Sequence, residues 1–484
     1  MTSSTLNARE SAAAEVVFFP ASFAQQRLWF IDQLTPGRAT YNIPSALRIG
    51  GELKVEVLER ALAEVARRHE TFRTRFVVVS GEPQQVIEDQ VNVHLPVLDL
   101  TCVVEEEERE AEAMRLALEE ARQPFNLQQA PLFRGKLLRL GERNHVLLFT
   151  MHHIISDAWS IGILVEEVSV LYGAFSAGQP SPLPELPIQY ADYSVWQREW
   201  LEGGVLEQQL AYWKRQLGES GMLMLPTDRP RPAVQSQNGA GYDFVIAANL
   251  TRELKKLAEE QGVTLFMALV AVLQTLLYRY SGQNDITVGT PIAGRRSSET
   301  ERLIGFFINT LVLRVDLSGA PSFTELLQRT KEVTLEAFAH QDVPFEKLVE
   351  VLSPERDLGR MPLFQVMIVL QNAPQSDLRL GDATLRPFNP VDNGTSKFDL
   401  RLEFGEDESG ILISSLQYNT DLFKVETMIR MVEQYQTLLA NIAADPGQAI
   451  GSYSLLPEAA YERLLDDWNH PLEQEEQTVE AMPA

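Results

Sequence analysis

The stretch FTMHHIISDAWS, Phe149–Ser160, joins two kinds of pattern. Around its start, HVLLFTMHHII (145–155) is short, almost wholly apolar and without helical spacing, which predicts a buried strand. After Asp157, WSIGILVEEVSVLYGAF (159–175) regains a helical period. His152 and His153 therefore stand where a strand hands over to a helix. In α/β folds reactive groups gather there, because the scaffold is rigid and the loop is free to vary. Neighbouring strand residues point to opposite faces, so one histidine can face a given cavity and the other must be buried and bonded.

The residues alone leave three readings of the dyad open. It is satisfied packing at a strand end, the commonest fate of such a pair. Or a neutral imidazole, with an ordinary pKa of ~6.5, accepts a proton there. Or the histidines and Asp157 bind a metal, although no second histidine cluster supplies further ligands. A Ser-His-Asp hydrolase fits poorly, since there is no G-x-S-x-G elbow and neither Ser156 nor Ser160 occupies a nucleophile turn.

The chain around this stretch has 484 residues, well above the ~100–150 typical of one domain, so two core-bearing units are expected. Hydrophobic residues make up 45% and charged residues 23%, as in soluble globular proteins. The net charge of −25 argues against nucleic acid or anionic membrane as the main partner, both of which need basic patches. Cys102 is the only cysteine, which excludes an internal disulfide and a cysteine-based metal cluster. The N-terminus lacks the basic start and apolar run of a secretory signal. The most apolar stretch, TLFMALVAVLQTLLY (264–278), is shorter than the ~20 residues of a membrane span and reads as a buried core helix. A cytoplasmic location is expected.

Helical spacing is clear in VEVLERALAEVARRHETF (55–72) and in EEEEREAEAMRLALEEAR (105–122), where Glu105–Glu108 form a solvated face. Four prolines between Pro180 and Pro187 forbid helix and interior strand, and predict a crossover between lobes. The order of elements is mixed α/β on both sides of this break. The expected divisions are a tail over 1–16, an N-terminal lobe over 17–180, a C-terminal lobe over 181–450 with 181–190 as the crossover, and a linker over 451–484.

The dyad resembles the HHxxxDG signature of condensation domains from nonribosomal peptide synthetases. Other motifs resemble that family in its own order: SFAQQRLWF (22–30), RHETFRTRF (68–76), YADYSVW (190–196), IGFFINTLVLR (304–314), HQDVPFEKLVE (340–350) and RDLGRMPLFQVM (356–367). The resemblance covers roughly residues 20 to 440. It implies an α/β fold of two lobes, each like chloramphenicol acetyltransferase, forming a V-shaped pseudo-dimer with the active site at the junction. It also implies a reaction. The α-amine of an aminoacyl thioester on one carrier protein attacks an acyl or peptidyl thioester on another, each held on phosphopantetheine, with no resident cofactor and no metal.

By the same resemblance His153 is the base or amine-positioning group, and His152 is structural. Asp157 is tied to an arginine, for which Arg295 in VGTPIAGRR is the candidate. Asn309, Arg68, Arg73 and Arg360 sit at motif positions and read as architectural. Ala158, Trp159 and Ser160 lie on the approach of the substrate or pantetheine. Ala158 stands where the family usually has glycine, a residue suited to tight backbone or close approach.

The motifs look closest to domains that join two L-residues, or to starter domains that take a fatty acyl donor, with a CoA thioester as a possible source. Met1 stands about twenty residues before the first motif, which suits a domain that opens its polypeptide. LLPEAAYERLLDDWNH (455–470) resembles the linker into an adenylation domain. Expected partners are donor and acceptor carriers and a downstream adenylation domain, the excised domain itself being monomeric. Heterocyclisation domains carry DxxxxD in place of the dyad, and epimerisation domains lack the INTLVLR and HQDVPFE pairing. The competing reading from another class is a non-catalytic docking platform. Such members lose the second histidine, which is intact here.

Overall fold

The computed structural model describes residues 17–201, 204–218, 220–352, 357–371, 379–388, 393–456 and 461. The expected tail over 1–16 lies outside them, as does most of the linker over 451–484. The chain divides into two compact α/β units. The first is built from 1–202, 295–307 and 375–391, and the second from 203–294, 308–374 and 392–484.

The first unit is organised by a six-stranded sheet. Its order is Arg379–Leu380, Ala383–Pro387, Asn42–Gly50, Asn144–His152, Phe133–Gly141 and Val97–Asp99. The expected strand, Asn144–His152, lies at its middle and pairs antiparallel on both sides. Its period-2 alternation separates two cores. Leu147, Phe149 and Met151 join a cluster with Ile163, Leu164 and Leu171 of helix Ala158–Ser176 and with Leu58 and Val65 of helix Val55–Arg68. Val146 and Leu148 pack instead with Ala113, Leu116 and Ala117 of helix Glu106–Arg122. A strand buried on both faces has no polar face to show, which is why its sequence reads as one apolar run. Glu105–Glu108 are exposed, as their pattern predicts.

The first unit does not end at residue 180. Helix Tyr190–Leu201 belongs to it, because Tyr190 and Ser194 are buried there. The proline-rich stretch is irregular, but it stays on this unit: Arg68 Nη1 donates to the Pro184 carbonyl at 2.6 Å. Two later segments, 295–307 and 375–391, return to complete the unit, the second supplying two strands of its sheet. Composition marks the prolines as a break. It carries no sign of these returns.

The second unit has its own six-stranded sheet, in the order Asn309–Asp316, Asp285–Ile292, Val366–Gln371, Leu400–Glu406, Leu412–Asn419 and Gly239–Ile246. The most apolar stretch forms helix Leu265–Ser281, with Met267 through Leu277 all buried. Its ends are set by Thr264, whose side chain accepts from Met267 N–H, and by Gly282, whose positive φ of 70° stops the helix in the left-handed region.

A single truncation tests the shared strand. Leu148→Ala should destabilise the first unit by about 2–5 kcal/mol in urea unfolding, because Leu148 is 2% exposed and its neighbours on both sides are sheet and helix.

Candidate active site

Strand Asn144–His152 runs into a short 3₁₀ turn, His153–Ile155, and helix Ala158–Ser176 begins at Asp157. Asp157 starts the helix for a local reason: its Oδ1 accepts from Ser160 N–H at 2.8 Å, satisfying an otherwise orphaned donor. The two histidines diverge where the strand ends, His152 being its last residue and His153 the first of the turn. His152 is 4% exposed and points toward Phe125, ring centroids 6.0 Å apart. His153 is partly exposed and packs against Phe306, centroids 4.9 Å apart at 63°.

Their hydrogen bonds assign opposite tautomers. His153 Nδ1 lies 2.8 Å from the Ser156 carbonyl, which can only accept, so Nδ1 carries the proton and the neutral ring keeps its lone pair on Nε2. His152 Nδ1 instead accepts from Ile154 N–H at 3.1 Å, so its neutral ring is protonated at Nε2. One imidazole caps its own turn. The other is oriented so that its outer nitrogen is the basic one.

Asp157 has no exposure at all and pairs with Arg295, Oδ1 to Nη2 at 3.2 Å. Burial lowers the Arg295 pKa from its ordinary value, and the Asp157 charge opposes that shift. The guanidinium is otherwise well satisfied. Nη2 donates to Ser160 Oγ at 2.7 Å, Nη1 donates to the Thr300 and Leu303 carbonyls, and the plane lies 4.0 Å over the Phe307 ring. Of its three nitrogens only the buried Nε lacks a hydrogen-bond partner among the described residues.

Ser160 is not on an approach path. It is fully buried, accepting from Arg295 and from Gly305 N–H (3.0 Å) and donating to the Gly305 carbonyl (2.9 Å). A hydroxyl has no further capacity, and the first turn of the helix aims it inward. Ala158 and Trp159 are exposed at the start of the same helix, and Trp159 Nε1 donates to the Glu301 carbonyl at 3.0 Å. Ala158 has ordinary helical backbone and an exposed methyl, so nothing in its conformation calls for glycine.

The segment Leu303–Phe307 comes from a distant part of the chain, and side chains hold almost all of its backbone. Thr71 Oγ1 donates to the Ile304 carbonyl and Ile304 N–H donates to His69 Nδ1. Ser160 takes both backbone groups of Gly305. Tyr190 Oη donates to the Phe306 carbonyl at 2.6 Å, while Ser22 Oγ donates to Tyr190 Oη. Phe307 N–H donates to Asp157 Oδ2 at 3.1 Å. Burial pushes the Tyr190 phenol well above its usual value, so it remains a donor. His69 is in turn fixed by Glu167, 3.0 Å from its Nε2, and Glu167 also pairs with Arg68 at 3.1 Å. Burial pushes the Glu167 carboxyl up, but the hydrogen bonds from His69 and Arg68 win and hold it below the ordinary range.

The remaining motif residues bond groups of their own units. Arg73 donates to the Ala66, Glu88 and Asp89 carbonyls within the first unit. Asn309 lies in the second unit, where its Nδ2 donates to the Gln341 and Val343 carbonyls and its Oδ1 accepts from Thr310 and Phe345 N–H. Arg360, also in the second unit, pairs with Asp357 at 3.0 Å. Among the described residues, no group of three or more His, Cys, Asp or Glu is placed to hold a metal. Tyr190, Phe306 and Glu167 are site-building residues that sequence reasoning did not single out. Tyr190 and Phe306 lie inside the quoted motifs YADYSVW and IGFFINTLVLR, and Glu167 is a lone acid on the buried face of an apolar helix.

Comparison with known proteins bears directly on this site. A family model described as "Condensation domain" matches residues 17–465. One of the linear gramicidin synthase subunits from Brevibacillus parabrevis is 50% identical over 452 residues, 93% of this chain. The chain spans only 6% of that relative's length. Among solved structures, the X-domain from teicoplanin biosynthesis aligns with a TM-score of 0.82 at 29% identity, covering 92% of this chain and 99% of that one. A four-domain nonribosomal peptide synthetase bound to AMP and glycine aligns with a TM-score of 0.82 at 26% identity, covering 93% of this chain and 35% of that one.

Two stability tests follow from the buried polar network. Asp157→Asn should cost about 3–5 kcal/mol, since it leaves Arg295 uncompensated, and Asp157→Asn with Arg295→Met should recover part of that loss in chemical unfolding. Glu167 has a depressed carboxyl pKa, so its stabilisation is present above the unfolded value of ~4.3 and is lost as pH falls through the lower folded value. Wild-type unfolding free energy should therefore drop on acidification below about pH 4.3, and Glu167→Gln, lower at neutral pH, should drop less steeply.

Proposed function

The chain belongs to the condensation-domain family, and from that premise we propose how its site forms an amide bond. Condensation domains are acyltransferases of nonribosomal peptide synthesis, acting on substrates carried as phosphopantetheine thioesters. For this chain the donor is an acyl or peptidyl thioester on one carrier domain, and the acceptor is an aminoacyl thioester on another. The amine nitrogen attacks the donor carbonyl carbon. The carbon–nitrogen bond forms, the carbon–sulfur bond breaks, and the donor pantetheine leaves as a thiol.

The observation that carries this reading is the 2.8 Å contact of His153 Nδ1 with the Ser156 carbonyl, which leaves the lone pair of the neutral ring on Nε2. With Nδ1–H held by the Ser156 carbonyl, the basic Nε2 takes the amine proton as the bond forms and returns it to the departing sulfur. A thioester already has a good leaving group, so placing the amine matters at least as much as the proton. His152 supports the turn from behind, and Asp157 with Arg295 fixes the start of the helix. Ala158 and Trp159, exposed on that first turn, stand on the approach of the pantetheine arm. A downstream adenylation domain is the remaining partner.

The assay supplies loaded donor and acceptor carriers and detects condensed product by intact-protein mass spectrometry. His153→Ala should lower the rate by about 10²–10⁴-fold. Equal product from the variant would remove His153 from the chemistry. No product from folded wild type with cognate loaded carriers would favour a docking platform. An acyl-CoA as sole donor separates a starter domain from a peptidyl one. Ala158→Gly should leave the rate within a few-fold of wild type while lowering stability by up to about 1 kcal/mol.

A further inference from the structure

We propose that Phe306 is a specificity-determining residue, the apolar wall against which the donor acyl group is laid at His153. This rests on the reading of His153 given above and adds to it a contact for the substrate. Within Leu303–Phe307 the side chains divide sharply. Leu303 and Ile304 are each 1% exposed and Phe307 is 3% exposed, whereas Phe306 is partly exposed. Its ring packs against the first unit's core cluster yet remains partly exposed. It emerges beside the one partly exposed histidine of the dyad, centroids 4.9 Å apart.

The backbone on either side of this ring is clamped. Ser160 bonds both polar groups of Gly305, Tyr190 bonds the Phe306 carbonyl, and Asp157 bonds Phe307 N–H. Gly305 has no room for a side chain: a Cβ there would stand 2.1 Å from Tyr190 Cδ2. The Phe306 ring therefore holds a fixed place relative to His153, as a wall must. A group reacting at the partly exposed imidazole has this ring on one flank. The contact is flat and apolar, suited to the carbon substituent next to the thioester carbonyl and hostile to water. It favours donors whose substituent fills the space up to the ring, and it excludes larger ones by overlap.

The test compares Phe306→Ala and Phe306→Leu with wild type on glycyl and leucyl donors, loaded on the same carrier with one acceptor. The leucyl-to-glycyl ratio of kcat/KM should rise by roughly tenfold in Phe306→Ala and by less, in the same direction, in Phe306→Leu. Tyr190→Phe keeps the ring but frees the Phe306 carbonyl, and should lower kcat for both donors with KM retained. Non-hydrolysable amide analogues of the two acyl-pantetheines, titrated calorimetrically, should show the same shift in preference without any turnover. Wild-type melting temperatures with unchanged ratios in both Phe306 variants would overturn the inference and leave the proposed reaction standing. A shifted binding preference in a protein that forms no amide would sustain the wall and overturn the reaction.

Discussion

A carboxylate and a guanidinium buried together, Asp157 and Arg295, are the constraint on which the site depends. Taking two charges out of water is expensive, and their attraction alone rarely gives a net gain. What the pair supplies is geometry. Asp157 divides its oxygens between the first turn of its own helix and the backbone of Phe307, while Arg295 gathers two carbonyls and Ser160 around it. Each bond satisfies a group that would otherwise be buried and unpaired. The two charges thus serve as a junction at which three stretches of chain can end without wasted polar groups.

The same economy separates the two histidines. They are chemically identical and adjacent, yet His152, the last residue of the strand, faces Phe125 and His153, the first of the turn, faces Phe306. Each ring then takes the tautomer that its nearest backbone partner imposes. For His153 that partner is a carbonyl three residues further along the chain.

How much of this could be read from sequence follows from the range over which each pattern acts. The buried strand, the helix after Asp157 and the divergence of the histidines are local, and period-2 and 3.6-residue spacing expose them. The Asp157–Arg295 pairing was legible through resemblance, since no spacing links residues so far apart. Ser160 was placed on the approach together with Ala158 and Trp159 by the same resemblance, and its inward role is set by Gly305, 145 positions later. The Tyr190 bond to Phe306 is equally invisible, since a side chain that bonds distant backbone leaves no composition behind. The boundary at 180 failed for a related reason. Proline marks where regular structure stops, not where packing changes owner.

The first unit is threaded from three separate parts of the chain. Anyone exchanging pieces between related synthetases therefore meets a seam that a linear map hides. A graft of residues 17–201 carries the dyad, Asp157, Ser160 and Tyr190, but leaves behind Arg295 and the segment those side chains were shaped to receive. The recipient's counterpart must then match a foreign set of hydrogen bonds inside a dry interior, where each mismatch is costly. Splicing after residue 307, and carrying 375–391 as well, keeps the junction with its own partners.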